Sequence, residues 1–162
     1  MKHSQQLLAI AGLALAVWGM SYGFYYAVWI EHQTLDHIGG SLAAAFQHAA
    51  LRETAASHAG LADYARAKFV YTREVDAHSH WIGLAMVLML LAALWNRLSF
   101  GETTRGLLAG ALIAGAYGFP LGVLLQTHLG GGIGHGIAVG GSILLIIAFL
   151  AVAAGFARES AN

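Results

Sequence analysis

The chain of 162 residues contains no cysteine and a single proline. The absence of cysteine excludes disulfides, thiolate metal sites, iron–sulfur clusters and cysteine catalysis. Charge is scarce as well, because only 10% of the residues are charged while 58% are hydrophobic. Soluble domains carry about 25% charged residues, so this chain has too few charges to coat a water-exposed surface. Eight Lys and Arg balance eight Asp and Glu without a basic stripe, which excludes a nucleic-acid partner.

Four apolar runs have the length of a membrane-spanning helix, for which a bilayer needs about 20 residues. The predicted spans cover residues 7–30, 80–96, 106–126 and 135–157. The first is expected to be an uncleaved anchor, because aromatic residues stand where a signal peptide would have its small-residue cleavage site. We therefore predict an all-α fold, an integral membrane four-helix bundle in up-down order, with the lipid bilayer as its main partner.

Basic residues in the short loops predict the orientation of this bundle. Lys2 precedes the first span, Arg97 and Arg105 flank the turn between the second and third, and Arg158 follows the fourth. These residues place both termini in the cytoplasm and indicate a bacterial inner membrane. Residues 31–79 then form a connection on the outer, periplasmic side. We expect this connection to be helical, since it is rich in good helix formers.

The spacing of the glycines predicts how the helices pack. Within the spans, glycine pairs at four-residue spacing predict faces where helices approach closely, and surfaces for homo- or hetero-oligomers. These pairs are Gly19 and Gly23, Gly106 and Gly110, Gly118 and Gly122, and Gly136 and Gly140. In the connection, Gly39 with Gly40 and then Gly60 are expected to bound one short extramembrane helix.

Histidine is the unusual residue type, since its nine copies outnumber Lys and Arg together. In the predicted topology His78, His80, His128 and His135 fall at helix ends of matching depth near the outer face. Polar groups at membrane depth are costly unless paired, so this cluster is a candidate site. His80 and His135 each head an apolar helix and are the first candidates for ligands. His78 and His80 are expected to face opposite ways if both are helical.

Two histidines from different helices can hold a haem iron axially inside a membrane bundle. Haem b also needs an apolar slot and small residues for clearance, and the spans supply both. The expected contacts are Arg73 for the propionates, Trp81, Met86, Tyr117 and Phe119 for the slot walls, and Gln126 and Thr127 for a quinone carbonyl.

The placement of His80 and His135 at the heads of the second and fourth helices, with His78 and His128 nearby, resembles small four-helix membrane b-type cytochromes. The resemblance covers the bundle as a whole and rests on architecture and histidine placement. It implies haem b near one membrane face and an oxidoreductase component. Such a component exchanges electrons between quinone and a periplasmic redox partner, or binds a gaseous ligand at an open axial position. No cytoplasmic histidine lies in a span, so a second haem at the inner face is not expected.

Two alternatives remain open. The first is a copper- or zinc-binding membrane protein, in which Asp76, His78 and His80 supply ligands together with His37 and His32. The second is a non-catalytic subunit of a larger membrane complex that docks through its glycine-rich helix faces. A hydrolase is not expected, since the sequence has no Gly-x-Ser-x-Gly motif and no phosphate-binding loop.

Overall fold

The computed structural model of the chain describes residues 3–128 and 131–159, and the elements within these ranges are all helical. The elements are α1 (His3–Tyr25), a π-helical segment (Tyr26–Ile30), α2 (Glu31–Ala50), α3 (Thr54–Leu94), a 3-10 turn (Trp95–Arg97), α4 (Glu102–Leu125) and α5 (Gly131–Glu159). Since α1, the π segment and α2 follow one another without a break, they form one continuous helical stretch. The all-α prediction is confirmed.

Four helical stretches are long and apolar enough to cross a membrane: His3–Ala50, Thr54–Arg97, Glu102–Leu125 and Gly132–Arg158. Their most apolar parts are mainly uncovered by protein, with only 22% of that part buried in the first stretch and 39% in the third. Leu107 and Leu150, for example, are 72% and 67% exposed. Apolar surface of this extent is unfavourable in water and suits contact with lipid.

The chain folds into two compact units, one formed by residues 1–20 with 76–162 and the other by residues 21–75. In the first unit, a hydrogen-bond network gathers four helix ends. The hydroxyl of Ser4 donates to Glu102 Oε1 at 2.7 Å and accepts from the Trp95 indole at 3.1 Å. Ser99 donates to the carbonyl of Gly155 at 2.9 Å. The start of α1, the end of α3, the start of α4 and the end of α5 therefore meet at one end of this unit.

Arg105, one of the residues used to predict the orientation, lies buried inside this end of the unit. Its side chain is only 6% exposed. Nη2 donates to the backbone carbonyls of Leu98 and Asn96, which follow the end of α3. Its Nε and Nη1 are also buried, and no described residue accepts a hydrogen bond from them. The guanidinium thus donates to backbone carbonyls of the segment that follows α3, in and just after the 3-10 turn.

Glycine brings the helices of the first unit together, but at a different spacing from the predicted one. A Cβ added at any of six glycines would lie within about 3 Å of a neighbouring helix: Gly12 and Gly19 against α3, Gly115 and Gly122 against α5, and Gly134 and Gly141 against α4. The members of each pair are seven residues apart, which returns them to the same helix face after two turns. The positions Gly106, Gly110, Gly118, Gly136 and Gly140 have open space instead. The four-residue pairing is therefore wrong for these contacts.

The second unit, residues 21–75, is a helical hairpin. Gly39 and Gly40 lie inside α2, and Gly60 lies inside α3, so the prediction that these glycines bound a single helix is wrong. The helix reversal occurs between α2 and α3, where Glu53 N donates to the His48 carbonyl at 2.8 Å and Arg52 has a φ of 60°. A Cβ at Gly60 would lie 3.1 Å from the Cα of Ala45, so Gly60 serves close packing of the two helices.

Candidate functional site

His78 and His80 both lie within α3, in the first unit, and the helix turns them in different directions. Two residues apart, their side chains diverge by about 200° around the helix axis. Nδ1 of His78 lies 2.9 Å from the backbone carbonyl of Gly19 in α1. Nδ1 of His80 lies 2.6 Å from the carbonyl of Asp76, one turn earlier in the same helix. Both residues are helical, so the expectation that they face opposite ways is confirmed.

The hydrogen bonds of these two histidines define their tautomers. A carbonyl oxygen only accepts hydrogen bonds, so Nδ1 carries the proton in both rings, and the neutral imidazole presents an Nε2 lone pair. No described residue hydrogen-bonds to Nε2 of His78 or His80. Histidines that bind metals almost always donate the other ring N–H to a carbonyl or carboxylate in this way. In both rings Nε2 is therefore the nitrogen that carries the lone pair in this tautomer.

The surroundings of His80 are aromatic. Its ring centroid lies 4.7 Å from that of Phe119 in α4, with the ring planes at 80°. His80 is exposed and His78 is half-buried. Phe119 was among the expected slot walls, and the structure places it beside the leading candidate ligand. Met86, another expected wall, is 63% exposed.

A separate aromatic cavity of about 270 Å³ lies between α1, α3 and α4, lined by Trp18, Trp81, Tyr117 and Leu121. The rings of Trp18 and Trp81 meet edge to face at 5.9 Å. Tyr117 turns its hydroxyl away to donate to the carbonyl of Ala11 at 3.0 Å. Trp81 and Tyr117 were expected to line a slot, whereas Trp18 and Leu121 were not. The cavity falls just below the usual size of ligand pockets, about 300–1,000 Å³, so it suits a ring-sized or chain-like apolar group rather than a tetrapyrrole.

His128 and His135 flank the turn between α4 and α5, whose residues 129–130 lie outside the described ones. Both side chains are exposed. Gly134, Ala138 and Gly141 face α4, so His135 lies about 100° around the helix from that packed face. No contact between described residues joins His135 to His80. The pairing of these two histidines as axial ligands stays a prediction, as does a role for His128.

The residues expected to contact a quinone follow the end of α4, and one of them is already hydrogen-bonded to that helix. Thr127 donates its hydroxyl to the Leu124 carbonyl at 2.7 Å, one turn earlier. The backbone nitrogen of Gln126 donates to Val123 at 3.3 Å. The Thr127 hydroxyl therefore offers only lone pairs to a ligand, which does not suit an acceptor such as a quinone carbonyl.

Arg73 belongs to the second unit, where its guanidinium carbon lies 5.2 Å from the centre of the Phe69 ring. This is the geometry of a cation–π contact. The expected pairing of Arg73 with haem propionates stays a prediction.

The alternative copper or zinc site is not assembled among the described residues. Within residues 3–128 and 131–159, no three His, Asp or Glu side chains come together as a metal-binding group. Asp76 contributes its backbone carbonyl to His80, and His78 turns to α1. His32 approaches Asp36 at 3.6 Å, with both side chains largely in solvent, and His37 lines a different cleft in the second unit. The copper or zinc site predicted from Asp76, His78, His80, His37 and His32 stays a prediction.

Comparison of the chain with protein-family models, with curated proteins and with solved structures gives no match.

Proposed function

We propose that this chain is an integral membrane haem b protein, an oxidoreductase component that transfers electrons at its outer face. The observation that carries the proposal is the 2.6 Å hydrogen bond from His80 Nδ1 to the carbonyl of Asp76. It fixes the ring in the tautomer that presents Nε2 to iron, and it holds the imidazole against rotation. A haem bound there would supply one-electron chemistry, while the protein supplies the ligand, its orientation and the apolar surroundings.

His80 is favoured over His78 because the two histidines have different neighbours. The half-buried His78 ring bonds to Gly19, where the lack of a side chain on α1 lets the two helices approach. This contact ties α1 to α3 and serves packing. His80 bonds within its own helix and lies on the exposed surface beside Phe119. A planar macrocycle can reach His80 without separating two helices.

We propose that haem would bind at the exposed surface around His80 rather than in the smaller aromatic cavity of about 270 Å³. The edge-to-face contact with Phe119 gives the imidazole an apolar wall on one side. The helix–helix contacts at Gly122 and Gly141 hold α4, and Phe119 with it, against α5. His135, on the flank of α5, would supply a second nitrogen ligand to the haem. If His80 alone held the haem, a gaseous ligand would have access to the iron.

The orientation we propose places both termini in the cytoplasm of a bacterium and His80 near the periplasmic side of its inner membrane. The network around Ser4 and Glu102 gathers the four helix ends at the side opposite His78 and His80. Arg97 and Arg158 lie at the gathered end, as expected for a cytoplasmic face. Electrons would then pass between quinone and a periplasmic redox partner. The outward-facing glycines of α4 and α5 would serve assembly with a second copy or another subunit.

The test is an absorption spectrum of the detergent-purified chain after expression with haem precursors, together with metal analysis. We expect a Soret band that shifts on reduction with dithionite. His80→Ala should abolish this band, and His135→Ala should abolish it or convert the spectrum to that of a five-coordinate haem. His78→Ala should lower thermal stability and keep the haem, and His58→Ala, which changes an exposed histidine of the other unit, should alter neither.

Full haem occupancy in His80→Ala would overturn the ligand assignment. Copper or zinc without haem absorption would replace the proposal with a metal-handling function. A chain that carries neither, and that purifies with other membrane proteins, would instead be a non-catalytic subunit.

A further inference from the structure

The second unit contains a cleft of about 470 Å³ between α2 and the first part of α3, far along the chain from His80. The two helices are held together on either side of it. Toward the π segment, the Tyr71 hydroxyl donates to Glu31 Oε1 at 3.2 Å. Toward the reversal, Gly60 lies against Ala45. Between these contacts the helices stand apart, so the cleft is a feature of the hairpin's own geometry.

The polarity of the cleft lining changes along the length of the cleft. The two flanking contacts set an antiparallel register that brings His37 level with Arg66 and Thr34 level with Val70. Apolar side chains concentrate toward the π segment and on the floor, where Ala67 is 8% exposed. Charged and polar side chains stand at the rim. The full lining is Ile30, Gln33, Thr34, His37, Asp63, Arg66, Ala67 and Val70.

The π segment determines which face of α2 is turned toward the cleft. A π turn accommodates one more residue than an α turn, so the helix that follows is rotated relative to an uninterrupted α-helix. Ile30 ends the segment and is itself part of the cleft, and Thr34 donates its hydroxyl back to the Ile30 carbonyl at 3.1 Å. Such insertions occur frequently at functional sites. The local helix geometry therefore directs Gln33, Thr34 and His37 toward α3.

We propose that this cleft binds a small organic carboxylate with an apolar body. Arg66 would hold the carboxylate with its planar pair of N–H donors, assisted by His37 across the cleft. The apolar body would cover Ala67 and extend toward Val70 and Ile30. Cleft volumes of this size accommodate a single small molecule.

The charges of the lining favour an anion over a cation. Arg66 makes no ion pair with any described residue, so its guanidinium is available at the rim. Asp63, one turn before Arg66 on α3, is the single acidic side chain of the lining. It faces a guanidinium, an imidazole and an amide that all offer N–H donors. A carboxylate ligand would meet more donors than acceptors, with Asp63 as the one unfavourable neighbour.

The experiment is titration of the full detergent-solubilised chain with para-fluorobenzoate, followed by fluorine NMR, with para-fluorobenzyl alcohol as the neutral analogue. We expect saturable binding of the acid and at least about tenfold weaker binding of the alcohol. Arg66→Gln should weaken binding of the acid by a similar factor. The matched control Lys68→Gln removes the same charge from α3 at a position outside the cleft lining and should leave the affinity unchanged.

Two further variants test the charge and the free volume of the cleft separately. Asp63→Asn should strengthen binding of the acid, because it removes the one acidic side chain of the cleft lining. Ala67→Leu should block binding by filling the floor, while helix content by circular dichroism stays unchanged. Displacement of the probe by benzoate alone would indicate a soluble acid, and displacement by oleate as well would indicate a lipid-derived one. Equal binding of acid and alcohol, weaker binding in Asp63→Asn, or no saturable binding would overturn the proposal, and none of these outcomes depends on haem.

Discussion

Gly122 of α4 lies directly against Ala138 of α5, and any Cβ at Gly122 would overlap the backbone nitrogen of Ala138. One turn away, a Cβ at Gly118 would meet open space. The two glycines belong to the same sequence pattern but differ in what surrounds them, which makes them a matched pair for mutation.

We predict that Gly122→Ala destabilises the protein and that Gly118→Ala does not. At Gly122 the added methyl group must push two backbones apart, and overpacking of this kind costs about 1–3 kcal/mol. At Gly118 the substitution adds only a methyl group on an open face. Thermal unfolding of both variants in the same detergent measures the difference. A Gly118→Ala variant as unstable as Gly122→Ala would show that the α4–α5 contact is not the one described.

Replacement of the buried Arg105 should destabilise the end of the first unit where four helix ends meet. Arg105→Met removes the donor to the carbonyls of Asn96 and Leu98. Leaving buried acceptors without a partner costs about 1–3 kcal/mol. Arg97→Met, a change of the same kind at an exposed position near the same turn, is the control and should alter the unfolding midpoint little. Equal midpoints for the two variants would contradict this role of Arg105.

Arg52 should be better replaced by glycine than by alanine. Its φ of 60° lies in the left-handed region just after the end of α2, where a side chain costs about 1–2 kcal/mol and glycine is favoured. Arg52 is exposed, so little is lost with its side chain. We expect Arg52→Gly to slow amide hydrogen exchange around the helix reversal. Arg52→Ala removes the same side chain but retains the strain, and it should leave exchange nearly unchanged. Faster exchange in Arg52→Gly would argue against strain at this residue.

The hydrogen bond from Tyr71 to Glu31, in the connection outside the predicted spans, should stabilise the hairpin at neutral pH and fail only in alkali. Burial, and then the interaction with Glu31, raise the pKa of the Tyr71 phenol above its usual 10.0. Because the folded-state pKa is raised, the stabilisation is complete below the unfolded value of about 10 and is lost as pH rises through the folded value. A pH titration followed by circular dichroism and phenolate absorbance measures this loss.

Tyr71→Phe should remove this contribution, so that the hairpin is less stable at neutral pH and the alkaline transition is smaller. Tyr64→Phe is the control, since Tyr64 only accepts a bond from Lys68 on its own helix. An alkaline transition of unchanged size in Tyr71→Phe would assign it to another group.

The sequence was sufficient for the all-α class and for four helical stretches long and apolar enough to cross a membrane, because hydropathy over a bilayer's length is a strong signal. The prediction from the sequence was wrong about the lengths of the helices in the second unit. Gly39 and Gly40 were expected to mark the beginning of a helix that ran to Gly60, since glycine costs about 1 kcal/mol in a helix interior. In the structure α2 continues through them, stabilised by packing against α3 at Ala45 and by the contact of Glu31 with Tyr71.

The sequence predicted which residue types form the candidate site, but not the directions in which their side chains point. The apolar run after His80 indicated its place at the head of a span, and helical spacing indicated that His78 would face elsewhere. The proton position on each ring depends on which carbonyl lies opposite Nδ1, and for His78 that carbonyl belongs to α1, 59 residues away in sequence. The cleft beside Arg66 was missed for the same reason. Its one local signal is the Asp63 and Arg66 pair at a spacing of one helical turn.

The glycines that bring α4 and α5 together also leave that interface with few side chains that specify how the two helices align. The glycines themselves offer no side-chain shape that would distinguish one longitudinal alignment from another, and those of each helix are seven residues, or two turns, apart. The few bulky residues between the glycines must therefore determine the alignment of α4 with α5. Leu145, which packs on Gly115, is one such residue. Its side chain fixes the longitudinal alignment of α4 and α5.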